Sequence, residues 1–532
     1  MPILKSQIDV HHSKWEENAQ AMQSIIDKVN DAHAKSLFQG KEKHIQKARE
    51  HDKLLARERI DLLLDEDSFF LEIQALIGLY EDGFGVGGTV VCGIGLVAGR
   101  LCMISANIGT LAGGAIDKST LDKSKRISEI AIQNHLPVIN LVESSGANLQ
   151  EQEKIFNFGG LIFREISRRS KKGIPTISVV FGNSTAGGAY IPGMSDYSIF
   201  VKDKAKVFLA GPPLVKMATN EVVDDESLGG ATMHSTISGV SDFLARNEQD
   251  ALRIARDIVQ TWSAPKRISA ERSTFNEPRF KSKELDRIIP ADITQFSDAR
   301  EIIARIVDDS AFFEFKPEYG TTLVCGHAHL FGYKIAIIAN NGILFSSAAN
   351  KASHFIQLCN RHRTPILFLQ NTTGFMVGKA YEEAGIIKDG AKMLNAVSNT
   401  IVPTITIMIG ASYGAGNYAM NGRAFEPRFL FSYPHAKLAV MGGKQLSGVM
   451  EIIQRAAAQK QGMKIDEEQA AQIRQFMLDK VERSSSALYS SSAGWDDGVI
   501  IPSQTRKILG ICMMVIHNHQ IEGEEGYGIF RM

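Results

Sequence analysis

Two short stretches of small residues hold the clearest potential for chemistry. They are Gly182-Asn-Ser-Thr-Ala-Gly-Gly-Ala-Tyr190 and Gly410-Ala-Ser-Tyr-Gly-Ala-Gly-Asn-Tyr418. Each follows an apolar run of strand type and precedes a helical pattern, so each reads as a strand-to-helix turn. At such a turn the first backbone N–H groups of the helix have no intrahelical acceptor, and the helix dipole adds positive potential. Small residues let a ligand approach these groups closely. Gly187 and Gly188 in the first turn, and Ala415 and Gly416 in the second, are therefore the candidates for stabilising an oxyanion by backbone hydrogen bonds. Pro175 precedes Gly187 by twelve residues, and Pro403 precedes Ala415 by the same twelve.

Other chemistries find little support. Neither turn carries the Gly-Lys-Ser/Thr of a phosphate-binding loop, and neither is a clean dinucleotide fingerprint. Ser184 and Ser412 lie in the turns without a nucleophile-elbow pattern. His234, His354 and His435 read equally well as structural residues. No His-x-x-x-His or paired carboxylate cluster points to a metal, and the cysteines Cys92, Cys102, Cys325, Cys359 and Cys512 form no Cys-x-x-Cys pair. A site built of main-chain donors fits this scarcity of acids and bases.

Elements that could position two equivalent turns come from an internal duplication. Val91-Cys-Gly93 recurs as Val324-Cys-Gly326, 233 residues later, and at the same offset Gly99 matches Gly332, Ala106 matches Ala339, Gly109 matches Gly342 and Lys118 matches Lys351. The offset then becomes 228. Pro137 through Gly146 matches Pro365 through Gly374, and Pro175 through Gly182 matches Pro403 through Gly410. Two related domains are expected, at 1–262 and 285–532. The polar stretch 263–279, with two prolines, has the composition of a linker. The apolar runs are punctuated by Pro before and Gly after, and they do not alternate with polar residues. That is the pattern of an α/β fold whose strands are covered on both faces. The charged segment Lys41–Asp65 has helical apolar spacing, and its charges are expected on a solvated face.

With 59 basic and 59 acidic residues, the chain has no formal net charge, which gives no drive toward nucleic acid or an anionic membrane. Its apolar runs are too short to span a bilayer. The odd, scattered cysteines suit a reducing compartment. The N-terminus has neither a signal-peptide core nor transit-peptide character, so a cytoplasmic location is expected, or the mitochondrial matrix if a transit peptide has been removed.

Further motifs are Ala186-Gly-Gly-Ala-Tyr190, Phe208-Leu-Ala-Gly-Pro-Pro-Leu-Val-Lys216, Leu228-Gly-Gly-Ala231, Asn371-Thr-Thr-Gly-Phe-Met-Val-Gly378, Tyr413-Gly-Ala-Gly-Asn-Tyr-Ala-Met420, Ala439-Val-Met-Gly442, Trp495-Asp-Asp-Gly498 and the closing Gly-Ile-Phe-Arg-Met532. On these the sequence resembles, at family level, the carboxyltransferase (beta) subunits of biotin-dependent acyl-CoA carboxylases. The resemblance covers nearly the whole chain.

This resemblance implies two tandem crotonase-like domains, each a β-β-α superhelix, the first binding acyl-CoA and the second carboxybiotin. The amides of Gly187 and Gly188 would hold a thioester enolate oxygen, and those of Ala415 and Gly416 the ureido oxygen of biotin. Ser145, Gly146, Ala147, Gly374, Phe375, Tyr413 and Gly414 are expected to bind the cofactor and the CoA ester. No metal is expected. Biotin would be carried by a partner, the alpha subunit with biotin carboxylase and biotin carrier, and the family expectation is a beta hexamer inside an alpha-beta dodecamer. Gly462-Met-Lys464-Ile only approaches the biotin-attachment signature, in a stretch that reads as helix.

Departures from the propionyl- and acetyl-type pattern at Ser145-Gly-Ala-Asn148, Asn371-Thr-Thr-Gly-Phe375 and Tyr418 favour branched, unsaturated acyl groups. Asn341-Gly-Ile-Leu-Phe345 and the Phe-Arg-Met end are of methylcrotonyl type, whereas Asn183-Ser-Thr-Ala and Gly193-Met-Ser-Asp-Tyr197 are closer to geranyl type. The expected activity is that of a methylcrotonoyl-CoA carboxylase-like ligase acting in leucine degradation. Geranyl-CoA and propionyl-CoA carboxylases and a biotin-dependent decarboxylase subunit are the alternatives. A crotonase-type hydratase would have no need of the second turn, and an inactive scaffold would not need either.

Overall fold

A computed structural model describes residues 1–262, 273–461, 467–526 and 528–531. Lys464, the linker residues 263–272 and the terminal Met532 lie outside the described residues. The chain forms two compact units, Asp31–Arg267 and Met1–Asn30 together with Ile268–Met532. The N-terminal residues reach the latter unit through an antiparallel bridge from Ile3 to Ala311 and through Asn18, whose side-chain amide donates to the Arg287 and Ile289 carbonyls.

The first unit is built on β1 (Phe70–Glu72), β2 (Val90–Val97), β3 (Arg100–Asn107), β4 (Val138–Ser144), β5 (Thr176–Thr185), β6 (Tyr197–Val201), β7 (Lys206–Phe208) and β8 (Phe243–Ala245). They run in the order β1-β2-β3-β4-β5-β6-β8, with β7 also paired to β5. From β3 onward the pairing is parallel, with helices as crossovers. The second unit repeats the plan with β9 (Phe313–Glu314), β10 (Leu323–Leu330), β11 (Tyr333–Asn340), β12 (Ile366–Thr372), β13 (Thr404–Tyr413), β14 (Phe429–Ser432) and β15 (Lys437–Ala439). Its order is β14-β13-β12-β11-β10-β9, with β15 on β13.

The equivalence extends to single registers. Val138 faces Thr176 and, 228 residues on, Ile366 faces Thr404. Both strand pairs slip at the same place, between Val142 and Ser144 and between Gln370 and Thr372. As expected, β5 and β13 are buried along almost their whole length. The β5 face packs Ile177, Val179 and Phe181 against Ile60 and Leu63 of the helix Ala56–Leu63 and against Ile258 of the helix Glu248–Thr261. Each such fully buried side chain contributes about 1.5–3 kcal/mol.

One expected pairing is corrected. The partner of Lys351 is Lys123, not Lys118. Lys123 is buried and its ammonium donates to the Val90 carbonyl at 2.9 Å, while Lys351 donates in the same way to Leu323 at 2.8 Å. The five extra residues of the first repeat fall between Asn107 and Ile116, before the helix Lys118–Gln133 begins, so the offset is already 228 at its start.

The segment Lys41–Asp65 is also not simply a solvated face. It forms two helices, Glu42–Glu50 and Ala56–Leu63, and in the second Arg59 is 1% exposed. Among the described residues all five cysteines are buried and unpaired.

The Trp495-Asp-Asp-Gly498 segment closes the β14 edge. Asp497 accepts from the Leu430 amide and from Arg423, while Asp496 accepts from the Ser432 hydroxyl at 2.6 Å. Burial pushes the Asp496 carboxyl up to about 6. Because the folded state then holds a proton that the unfolded state releases, stability falls as pH rises from about 4 to 6. The full cost is about 3 kcal/mol and is present above that window. Asp496→Asn should remove this component, so that denaturant unfolding between pH 4 and pH 8 shows a correspondingly flatter stability profile than wild type.

Candidate active site

The two glycine turns form at the ends of β5 and β13. In the first, Ala186 takes a left-handed conformation at φ 53°, and a short 3-10 turn, Ala186–Ala189, leads into the helical turn Tyr190–Gly193. The helix expected from Ala186 is thus a tight turn followed by one helical turn. In the second, Gly414 has the same φ of 53° and opens the helix Gly414–Ala419. An alanine in this region costs about 1–2 kcal/mol, and strain of this kind persists only where the surroundings enforce it. The left-handed residue swings the chain out of the strand so that the following N–H groups project from the sheet end. Gly187 and Gly188 are the second and third residues of the first turn, as Ala415 and Gly416 are of the second; helical geometry leaves Gly187, Ala415 and Gly416 without an acceptor, whereas 3-10 geometry offers the Gly188 amide the Thr185 carbonyl. In each turn the first of the two is exposed and the second buried.

Each turn is braced from below. Ser184 is buried and donates to the Gly188 carbonyl at 2.9 Å. At the equivalent place Ser412 donates to Gln370 at 2.6 Å and accepts from Asn417 at 2.8 Å, while Gln370 donates to the Met420 carbonyl. The two turn serines are therefore structural rather than nucleophilic. His234 has both ring nitrogens bonded, to Ser238 and to the Val207 carbonyl. His435 is buried against the Ile409 backbone, and burial drives its pKa down to about 4.

The expected binding residues gather beside the turns. Ile116 bridges to Ala147, and Leu344 to Phe375, each in parallel sense. These bridges seat Ser145, Gly146 and Ala147 next to the first turn, where a Cβ on Gly146 would stand 3.2 Å from the Thr185 carbonyl. In the second unit Gly374 lies against the turn so closely that a Cβ on Gly416 would come within 2.9 Å of its Cα. Tyr413 precedes that turn as the last residue of β13, and Gly414 opens it. The structure thus brings together Ser145–Ala147 with Gly187 and Gly188, and Gly374 and Phe375 with Tyr413–Gly416. Among the described residues no cluster of His, Cys, Asp or Glu could hold a metal ion, and no helix is long and apolar enough to cross a membrane.

A group missed in the sequence adjoins the first turn. Glu143, one residue before Ser144, accepts from Lys53 at 2.5 Å and from Arg59 at 2.7 Å, and Arg59 also binds Glu248 at 2.8 Å. Burial by itself raises the Glu143 pKa, but Arg59 and Lys53 outweigh it and hold the carboxyl below its usual range. It is a paired anion, not a base. Arg59 lies over the Phe181 ring at 4.3 Å. The available signal was helical spacing: Ala56, Arg59, Ile60 and Leu63 form one buried stripe, and an arginine inside an apolar stripe requires a partner.

A family model described as the carboxyl transferase domain matches residues 47–524. A Mycobacterium tuberculosis protein named probable biotin-dependent acyl-coenzyme A carboxylase beta2 subunit is 52% identical over 531 residues, covering all of both chains. The mitochondrial methylcrotonoyl-CoA carboxylase beta chain of Arabidopsis thaliana is 46% identical over all of this chain and 92% of its own. Among solved structures, the beta subunit of P. aeruginosa geranyl-CoA carboxylase matches at 40% identity with a TM-score of 0.90, covering all of both chains. The chain belongs to the carboxyl transferase family, the carboxyltransferase subunits of biotin-dependent acyl-CoA carboxylases.

Proposed function

We propose that this chain moves a carboxyl group from carboxybiotin, carried by a partner alpha subunit, to a branched unsaturated acyl-CoA, foremost 3-methylcrotonyl-CoA. The observation that carries the reading is the pair of equivalent strand-to-helix turns at Gly187/Gly188 and Ala415/Gly416, each opened by a residue at φ 53°. In this reading residues 1–262 serve the acyl-CoA and residues 285–532 the biotin. Gly187 and Gly188 hold the thioester oxygen as the acyl group loses a proton and becomes a dienolate, whose terminal carbon forms the new bond to CO₂. A donor of this kind supplies about 3–4 kcal/mol in the transition state. Ser145, Gly146 and Ala147 line the thioester side.

Carboxybiotin would supply the activated carboxyl group and, once that is released, a nitrogen able to take up the proton. The second turn fits such a ring, since Ala415 is exposed, Gly414 has no side chain, and the Gly374–Gly416 contact sets the backbone close. Ala415 and Gly416 would hold its ureido oxygen, with Gly374, Phe375, Tyr413 and Gly414 around it. No metal enters the proposal.

Large exposed apolar side chains support self-association, for which the family's beta hexamer is the working assembly. Ile452 and Phe476 on the helices Gly443–Lys460 and Glu467–Ser484 are 69% and 66% exposed, and Phe156 on the helix Gln152–Lys171 is 86% exposed. Buried, unpaired cysteines suit the reducing cytoplasm or mitochondrial matrix.

Two measurements test the reading. A Cβ at Gly188 would meet nothing nearer than the Ser184 hydroxyl at 3.6 Å, so Gly188→Val should fold and still bind CoA while losing about a hundredfold or more in kcat; wild-type turnover would refute the first hole. With a biotinylated, active alpha subunit, ATP- and bicarbonate-dependent carboxylation should favour 3-methylcrotonyl-CoA over geranyl-CoA and propionyl-CoA. Preference for geranyl-CoA would reassign the substrate, and transfer to none of them would favour the decarboxylase alternative.

A further inference from the structure

In the second unit the layer between the sheet and the helices that cover it is apolar. Ile338 on β11, Phe368 on β12, Ala352 and Ile356 on the helix Ser346–Arg361 and Val397 on the helix Ile386–Ser398 all belong to one buried core. At the repeat offsets of 233 and 228, the first unit has Ser105, Asn140, Ser124, Ser128 and Arg169 in their places. Strand register supports the match, since Ser105 faces Asn140 as Ile338 faces Phe368. So does the helix end, where the Lys172 amide donates to the Arg169 carbonyl as the Thr400 amide does to Val397. All five polar residues line a cavity of about 80 Å³ between the sheet and the helices Lys118–Gln133 and Gln152–Lys171. A single unsatisfied polar group in a core costs about 1–3 kcal/mol, so five exchanged together at one place point to something that satisfies them.

Arg169 states the need most clearly. Among the described residues five arginines are buried, and Arg59, Arg126, Arg305 and Arg506 each bind a carboxylate. Arg169, at 5% exposure, binds none. Its Nη1 donates to the Ser128 hydroxyl at 2.7 Å, and its enclosed Nε has no acceptor. Glu165 and Asp196 act on it only from a distance, because Glu165 is taken by Arg164 and Arg168, and Asp196 by Ser170 and the Thr176 amide. Burial draws the Arg169 pKa down to about 10, whereas at Arg59 the carboxylates outweigh burial. At neutral pH the guanidinium stays charged. The hydroxyls beside it add donors, since Ser128 accepts from Arg169 and Ser105 from the Cys92 thiol, and neither donates to a described residue.

We propose that this cavity holds one small monovalent anion, of the size of chloride or bicarbonate, on the Arg169 guanidinium, with the Ser105 and Ser128 hydroxyls donating to it. Charge and donors are in excess there, which suits an anion better than a neutral molecule. One water needs roughly 10–15 Å³ of such volume, so the space suits an ion of a few atoms and is too small for a long acyl chain. Val142, at the end of β4, and Ile191, in the helical turn after Gly188, line the same cavity. The ion would therefore support the layer beneath the first glycine turn, a place that Val397 and its neighbours fill with side chains in the second unit.

Thermal unfolding of the full chain tests this without a partner or turnover. At fixed ionic strength and pH, gluconate, too large for the cavity, is replaced stepwise by chloride and, separately, by bicarbonate. Wild-type Tm should rise saturably by about 2 °C or more, and the anion that saturates at the lower concentration is the occupant. Arg169→Met should fold and lose the rise, because an apolar side chain of similar length suits this layer. Ser128→Ala, which keeps the guanidinium, should raise the half-saturating concentration about tenfold. Crystals grown with bromide should show its anomalous signal within hydrogen-bond distance of Arg169, a readout that needs no variant to fold. A wild type indifferent to both anions, an undiminished rise in Arg169→Met, or a cavity without bromide would overturn the site and leave water as its filler.

Discussion

A buried backbone N–H without an acceptor is costly, and folded chains avoid it almost everywhere. In the proposed function such groups stay available at two turns, and much of the architecture would follow from that constraint. Strands β5 and β13 run through the sheets with nearly every residue buried, so the position where each ends is fixed. Directly after each, one residue at φ 53° redirects the chain into a short helical turn. Ser184 below one turn, and the Ser412–Gln370–Asn417 network below the other, bind the groups that must not move.

Around this frame the protein tolerates charges that a simpler core would avoid. Arg59 is almost fully buried, and leaving it without Glu143 or Glu248 would cost more than the pair contributes when intact. Lys123 and Lys351 are buried with carbonyl rather than carboxylate partners, and burial lowers the pKa of both. Each lysine ties the helix that follows its repeat's hairpin to the first carbonyls of that hairpin. A parallel bridge, Ile116–Ala147 or Leu344–Phe375, is formed just before that helix in both copies, although the segments leading into it differ in length.

The sequence made the strand-to-helix turns, the duplication and the α/β class legible, because glycine, proline and apolar runs act locally and recur at fixed offsets. Gly187, Gly188, Ala415 and Gly416 could be singled out for that reason. The alignment of Lys118 with Lys351 failed because a gap can be placed on either side of a helix until the buried ammonium is seen. The role of Glu143 was hidden because its partners, Lys53, Arg59 and Glu248, lie far from it in the chain and meet only on folding. Arg59 carried a signal in its spacing, but a charged segment reads first as solvated surface. The Gly374–Gly416 contact likewise depends on two backbones approaching, which no local pattern records.

The two turns differ in one respect that bears on how such a protein can change. At Gly188 an added methyl would find ordinary space, whereas at Gly416 it would collide with the Gly374 main chain at 2.9 Å and with Thr372 at the same distance. Ala186 stands where the second turn has Gly414, so at the strained position the first copy carries a methyl and the second a hydrogen. At the buried turn position of Gly188 and Gly416, therefore, the first copy has room for a side chain and the second has almost none. In the proposed function, a duplicated chain of this kind would be open to change at the turn that meets a varying acyl group and closed, by its own backbone, at the turn that meets an unvarying biotin ring.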